Sequence, residues 1–130
     1  MSISVSVHVA PGELIDKITI LGIKLERIKN EDKLANIQIE FDVLTQARDE
    51  AIPPSDKLDQ LTVELRKINE ALWDIEDDIR DCERAKDFNE NFVKLARAVY
   101  FTNDKRMGVK HAINKLLGSR LIEEKSYVAY

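Results

Sequence analysis

Residues 58–82, LDQLTVELRKINEALWDIEDDIRDC, decide the fold. Leu58, Leu61, Leu65, Ile68, Leu72, Ile75, Ile79 and Cys82 recur in alternating steps of three and four. At 3.6 residues per turn, that spacing gathers them into one seam along a single α-helix. A strand would repeat every second residue instead, so the stretch predicts a long helix of a bundle or coiled coil.

Upstream, Ser55 or Asp56 is placed to cap this helix. Pro53 and Pro54 stop whatever precedes it, because neither donates a helical hydrogen bond. The preceding stripe, Leu34, Ile37, Phe41 and Leu44, predicts a second helix, with Asp32 as its cap and a left-handed Asn30 closing the helix before. That earlier helix carries Leu14, Ile18, Leu21, Leu25 and Ile28, and Ile15, Ile20 and Ile23 widen its apolar face. A face so broad implies burial against more than one neighbour. At the start of the chain Ile3, Val5, Val7 and Val9 alternate with Ser2, Ser4, Ser6 and His8, the period of a half-buried strand, which Pro11 and Gly12 end.

Downstream, Asp87 with Glu90 reads as a capping box for a fourth helix. Its stripe is Phe92, Leu95, Val99, Val109, Ile113 and Leu116, and Gly118 is placed to end it. Tyr127, Val128 and Tyr130 suit the closing segment to pair with the opening strand, or with a strand of another subunit. The expected fold is therefore mainly α, a single domain over residues 1–130. It comprises a strand at 1–10, an antiparallel helical bundle with a long hairpin over 12–118, a tail at 119–130, and a small terminal β element. Along the seams, Lys17 and Lys24 on the first helix complement Asn69, Glu76 and Glu83 on the third.

Composition narrows the function classes. With 20 basic and 24 acidic residues the formal charge is −4, so no broad positive field exists to hold nucleic acid. The opening residues lack the basic start and apolar run of a signal peptide, and no stretch approaches the roughly 20 apolar residues of a membrane span. The single cysteine, Cys82, lies on the apolar seam and forms no intrachain disulfide. The expectation is a cytoplasmic protein, a homo-oligomer, without membrane or nucleic-acid partners.

The fourth helix breaks its own pattern. Thr102 and Arg106 occupy seam positions, with Asn103 and Lys110 beside them, and burial of such groups demands partners. Folding this helix back on the third brings them level with Asn69 and Trp73, with Arg97 near Glu76 and Arg80 one turn along. Lys17 and Lys24 are within reach from the first helix. Two readings stand side by side. One is a buried polar network that fixes register. The other is a pocket for a small phosphate or carboxylate, with Arg106 and Arg80 giving forked hydrogen bonds, Lys110 a point charge, and Asn69 or Asn103 orientation. Trp73 suits stacking on a ring or plain core packing.

Other chemistry finds less support. The acids Asp74 to Asp81 lack a facing pair for a divalent metal, His8 and His111 stand at no ligand spacing from Cys82, and no Gly-rich phosphate loop occurs. No metal and no cofactor is expected.

The blocks GELIDKITIL with IKLERI (12–28), KLANI (33–37), INEALWDIEDDIRDCE (68–83), FVKLARAVYFTNDKR (92–106) and EEKSY (123–127) resemble a family of short uncharacterised helical proteins of bacteria and of phages of marine cyanobacteria. The resemblance spans nearly the whole chain and implies no assigned activity. The first block is also faintly similar to the opening helix of helical chorismate mutases, whose later Asp-x-x-Arg-Glu pattern is not reproduced.

The sequence thus points to a small binding or accessory protein holding an anionic ligand between the third and fourth helices. Two alternatives remain. One is a small helical enzyme acting on a phosphorylated or carboxylated metabolite with Glu76 as acid or base. The other is a protein-interaction module using the terminal strand.

Overall fold

The computed structural model describes residues 2–129, which form four helices: α1 (Pro11–Arg27), α2 (Glu31–Ala51), α3 (Asp56–Arg84) and α4 (Glu90–Leu116). The chain is mainly α, as expected. Among the described residues no helix is long and apolar enough to cross a membrane.

Helix α1 is the centre of the arrangement. It packs against α2, α3 and α4, while α3 and α4 pack on each other as a long hairpin and α2 packs on α1 alone. This explains the broad apolar face of α1, where Ile15, Ile18, Leu21 and Ile23 are all buried. Ile15 joins Leu58, Leu61 and Leu65 of α3 and Val109 and Ile113 of α4 in the main core, with Ile52, Ile68 and Leu117 around it. No residue of α2 is fully buried.

The seam of α3 changes character along its length. Leu58, Leu61 and Leu65 are buried beside α1, whereas Ile68, Leu72, Ile75 and Ile79 are half-buried, and burial returns only at Cys82 near the turn. On α4, Val109 and Ile113 are likewise buried and Phe92, Leu95 and Val99 half-buried. The distal half of the hairpin reaches past the helix that would cover it.

Helix ends follow local chemistry, with two corrections to the sequence reading. Ser55 caps α3, its hydroxyl accepting from the Leu58 amide at 3.1 Å. Gly118, at φ 63°, closes α4: its amide donates to the Lys115 carbonyl and that of Ser119 to the Asn114 carbonyl, a Schellman motif. The first correction concerns Asn30. It is extended rather than left-handed, and it caps α2 itself by accepting from the Lys33 amide at 3.0 Å. The connection from Ile28 is too short to hold a left-handed turn and a separate Asp32 cap.

The second correction concerns Asp87. Helix α3 ends in the same motif as α4, with Lys86 at φ 55° and the Asp87 amide donating to the Cys82 carbonyl at 2.9 Å. Asp87 is therefore consumed in closing α3. Its carboxylate accepts from the Asn89 amide, and α4 starts only at Glu90 without a side-chain cap at Asn89.

The terminal β element is absent: among the described residues no strand forms. Ile3, Val5 and Val7 are 88%, 81% and 73% exposed. Alternation selects a face for a strand, but a strand also needs a neighbour's backbone to bond with. The C-terminal segment that was to supply it lies instead along α4, where its side chains find ionic partners. The Tyr130 contribution lies outside the described residues.

Candidate functional site

The site is organised by an acid on the apolar face of α1. Asp16, fully buried between Ile15 and Ile18, needs compensation. It comes from two helices. Arg106 of α4 donates from Nε to Oδ1 at 2.9 Å and from Nη2 to Oδ2, a forked pair. Asn69 of α3 spends both amide protons, one on Asp16 Oδ1 and one on Thr19 Oγ1, each at 2.9 Å, while the Thr19 hydroxyl donates to the Asp16 carbonyl at 2.7 Å. Among the described residues no buried side-chain polar atom lacks a partner. Arg106 thus interrupts the α4 seam where α1 supplies a carboxylate.

One turn further along α4, the Lys110 side chain is 8% exposed. Its Nζ lies 2.7 Å from Glu13 Oε2 of α1 and 2.9 Å from Glu123 Oε2 of the C-terminal segment. Another turn on, Asn114 Oδ1 accepts from the Gly12 amide at 2.7 Å, meeting an amide that the start of α1 leaves open. A Cβ at position 12 would collide with the Lys110 carbonyl, so glycine is what lets α1 approach α4 here.

The C-terminal segment straps across this region. Glu123 reaches Lys110, its carbonyl lies 2.6 Å from His111 Nε2, and Lys125 pairs with Asp104. Beneath the strap runs an open cleft of about 1090 Å³, whose lining from the helices includes Glu13, Asn103, Asp104, Arg106, Met107 and Lys110.

Charges in the cleft hold one another ionised. Burial by itself would lower the Lys110 pKa, but its hydrogen bonds to Glu123 and Glu13 outweigh that and raise it above the usual lysine value. The same hydrogen bond from Lys110 holds Glu123 below the ordinary carboxylate range. The hydrogen bond to Asp16 raises the Arg106 pKa above the usual arginine value.

The residues singled out from sequence divide. Asn69 and Arg106 meet at Asp16; Arg106, Lys110 and Asn103 line the cleft. Lys17 is exposed, 3.8 Å from Glu13, and is not part of the lining. The others do not line it either. Trp73 is half-buried with the Arg27 guanidinium 5.8 Å over its ring, Arg80 pairs with Glu76 along α3, Arg97 lies 5.7 Å over Phe101, and Lys24 is half-buried two turns beyond Asp16 on α1. The ion pairs joining α1 to α3 are Arg27 with Glu70 and Asp74, and Arg66 with Glu26, in place of the expected lysines.

Sequence reasoning missed Asp16, Glu13 and Glu123. Asp16 carried a readable signal, an acid enclosed by Leu14, Ile15 and Ile18 on the broadest apolar face of the chain. Glu123 carried none, since its role depends on the path of a segment without secondary structure.

Comparison with curated proteins and with solved structures returns no match. Comparison with protein families matches residues 5–130 to one described as a family of unknown function, DUF6165. The match takes in all four helices and the C-terminal strap, so the chain belongs to this family.

Proposed function

We propose that the protein binds a small anion, a carboxylate or phosphate, at Lys110 in the cleft beneath the C-terminal strap. The observation that carries this reading is the second partner of Lys110. Glu13 belongs to a helix fixed by the core, whereas Glu123 is a carboxylate delivered by an extended segment. It occupies the position that an external anion's oxygen would take. With Glu123 withdrawn, Lys110 Nζ would keep Glu13 as a carboxylate partner and regain room for a second anionic oxygen. Asn103 supplies orientation and Met107 an apolar wall.

Arg106 serves this site by holding Asp16, which separates its role from that of Lys110. The enzymatic alternative is less well supported, because Glu76 sits with Arg80 away from the cleft. This reading also takes the protein to be cytoplasmic and self-associating, with Cys82 as a core side chain.

The test is titration with inorganic phosphate and with benzoate, followed by NMR shifts of Lys110 and His111. Glu123→Gln should bind at least one of them more tightly than wild type, and Lys110→Met should abolish the response. Absence of any saturable shift in both wild type and Glu123→Gln would overturn the proposal.

A further inference from the structure

We infer that the distal half of the α3–α4 hairpin is an interface for a second copy of this chain, packed antiparallel so that α3 of each copy lies against α4 of the other. The first support is the seam. One heptad pattern runs through α3, buried at Leu61 and Leu65 where α1 covers it and half-buried at Ile75 and Ile79 beyond that cover. The part beyond the reach of Arg27, residues 75–84, extends about 15 Å at 1.5 Å per residue, with Cys82 near its end already buried within the hairpin. Two helices shield a shared seam from one direction each; a second hairpin closes its sides. The tip adds apolar surface, with Phe88 and Val93 each 51% exposed.

The second support is charge, and it selects the occupant. Residues 74–84 carry six acids against two arginines, whereas residues 91–103 of α4 carry Lys94 and Arg97 and no acid. Asp77, Asp78, Lys94 and Arg97 are all exposed. Arg80 pairs with Glu76, Arg84 with Asp81 and Arg27 of α1 with Asp74, so Asp77, Asp78 and Glu83 carry the acidic excess of distal α3. Each hairpin therefore presents an acidic helix and a basic one. A two-fold axis between two hairpins matches acid to base on both sides at once, as an isologous interface requires. Pairing α3 with a copy of itself would set acid against acid.

The experiment is native mass spectrometry with sedimentation across a concentration series. The full chain should appear at twice its 14.9 kDa mass. Two charge-reversed proteins, D77K/D78K and K94E/R97E, should each dimerise about tenfold more weakly or worse. Mixed together they should recover a heterodimer, because the reversed α3 of one then faces the reversed α4 of the other. Circular dichroism checks that both remain helical. If either fails to fold, carbodiimide cross-linking of mixed ¹⁴N- and ¹⁵N-labelled wild type decides, and mixed-isotope links between residues 74–84 and Lys94 are the expected result. A wild type that stays monomeric, reversed variants that dimerise like wild type, or an absence of mixed-isotope links would each overturn the inference.

Discussion

Asp16 and Arg106 lie 90 residues apart in the chain and are joined by a forked hydrogen-bonded pair that ties the first helix to the last. The carboxylate is fully buried and the guanidinium side chain 30% exposed, so the pair is asymmetric: the acid depends on the base more than the reverse. Asn69 of α3 completes the coordination of the carboxylate, so that three helices meet at one acid, while Thr19 accepts the second Asn69 proton.

Arg106→Met should therefore destabilise the fold by about 3 kcal/mol, because it strands a buried negative charge. Combining it with Asp16→Leu should recover part of that loss. Urea denaturation of the single and double variants measures both. A single variant as stable as wild type would mean that Asn69 alone suffices for Asp16.

Gly12 and Gly108 should respond oppositely to alanine. A Cβ at residue 12 meets the Lys110 backbone and stands 2.8 Å from Asn114 Oδ1, so Gly12→Ala should cost about 1–3 kcal/mol through overpacking. At Gly108 a Cβ meets nothing within 4 Å, and Gly108→Ala should stabilise by about 0.5–1 kcal/mol through helix propensity. Thermal unfolding compares the two, and equal shifts would contradict the close approach of α1 to α4.

The strap should release at both extremes of pH. Glu123 has its pKa lowered by Lys110, so its contribution is complete above the ordinary glutamate value, near 4.3, and disappears as pH falls through its depressed value. Lys110 has its pKa raised, so its contribution is complete below about 10.4 and disappears as pH rises through its elevated value. Limited proteolysis with an acid-active protease at pH 3 and pH 5.5 should show faster cleavage after residue 119 at the lower pH, with circular dichroism checking that the helices persist. Equal rates would detach Glu123 from strap docking.

Hydrogen exchange should rank the helices. Helix α2 packs on α1 alone and buries no residue completely, so its amides should exchange through an opening smaller than global unfolding. Amides around Ile15, Leu65 and Ile113, each at most 1% exposed, should exchange only globally. Uniform protection across all four helices would rule out a separately opening α2.

What the sequence disclosed followed from periodicity. The Leu58 to Cys82 seam, the broad face of α1 and the ends at Ser55 and Gly118 are local patterns, and each appears where the residues place it. Within the break in the α4 seam, Arg106 meets the buried Asp16. That partner was hidden because an acid on α1 meets an arginine on α4 only after tertiary packing. Arg80 and Arg97 share the chemistry of Arg106, but both are exposed, and their sequence positions gave no measure of how far α1 would extend over the hairpin. The strand failed for a related reason. Alternation describes a side-chain face and contains nothing about whether a neighbouring backbone will be there.

The strap has a further consequence, because Glu123 is tethered to the helix it serves. A carboxylate on a short flexible tether competes at an effective concentration on the order of millimolar, whatever the amount of protein. An external anion must exceed that resident competitor in concentration or affinity before it occupies Lys110. On the proposed reading, the tail would raise the concentration at which an anion half-fills the cleft by a constant factor and leave the shape of the binding curve unchanged, a tuning of affinity built from a single glutamate.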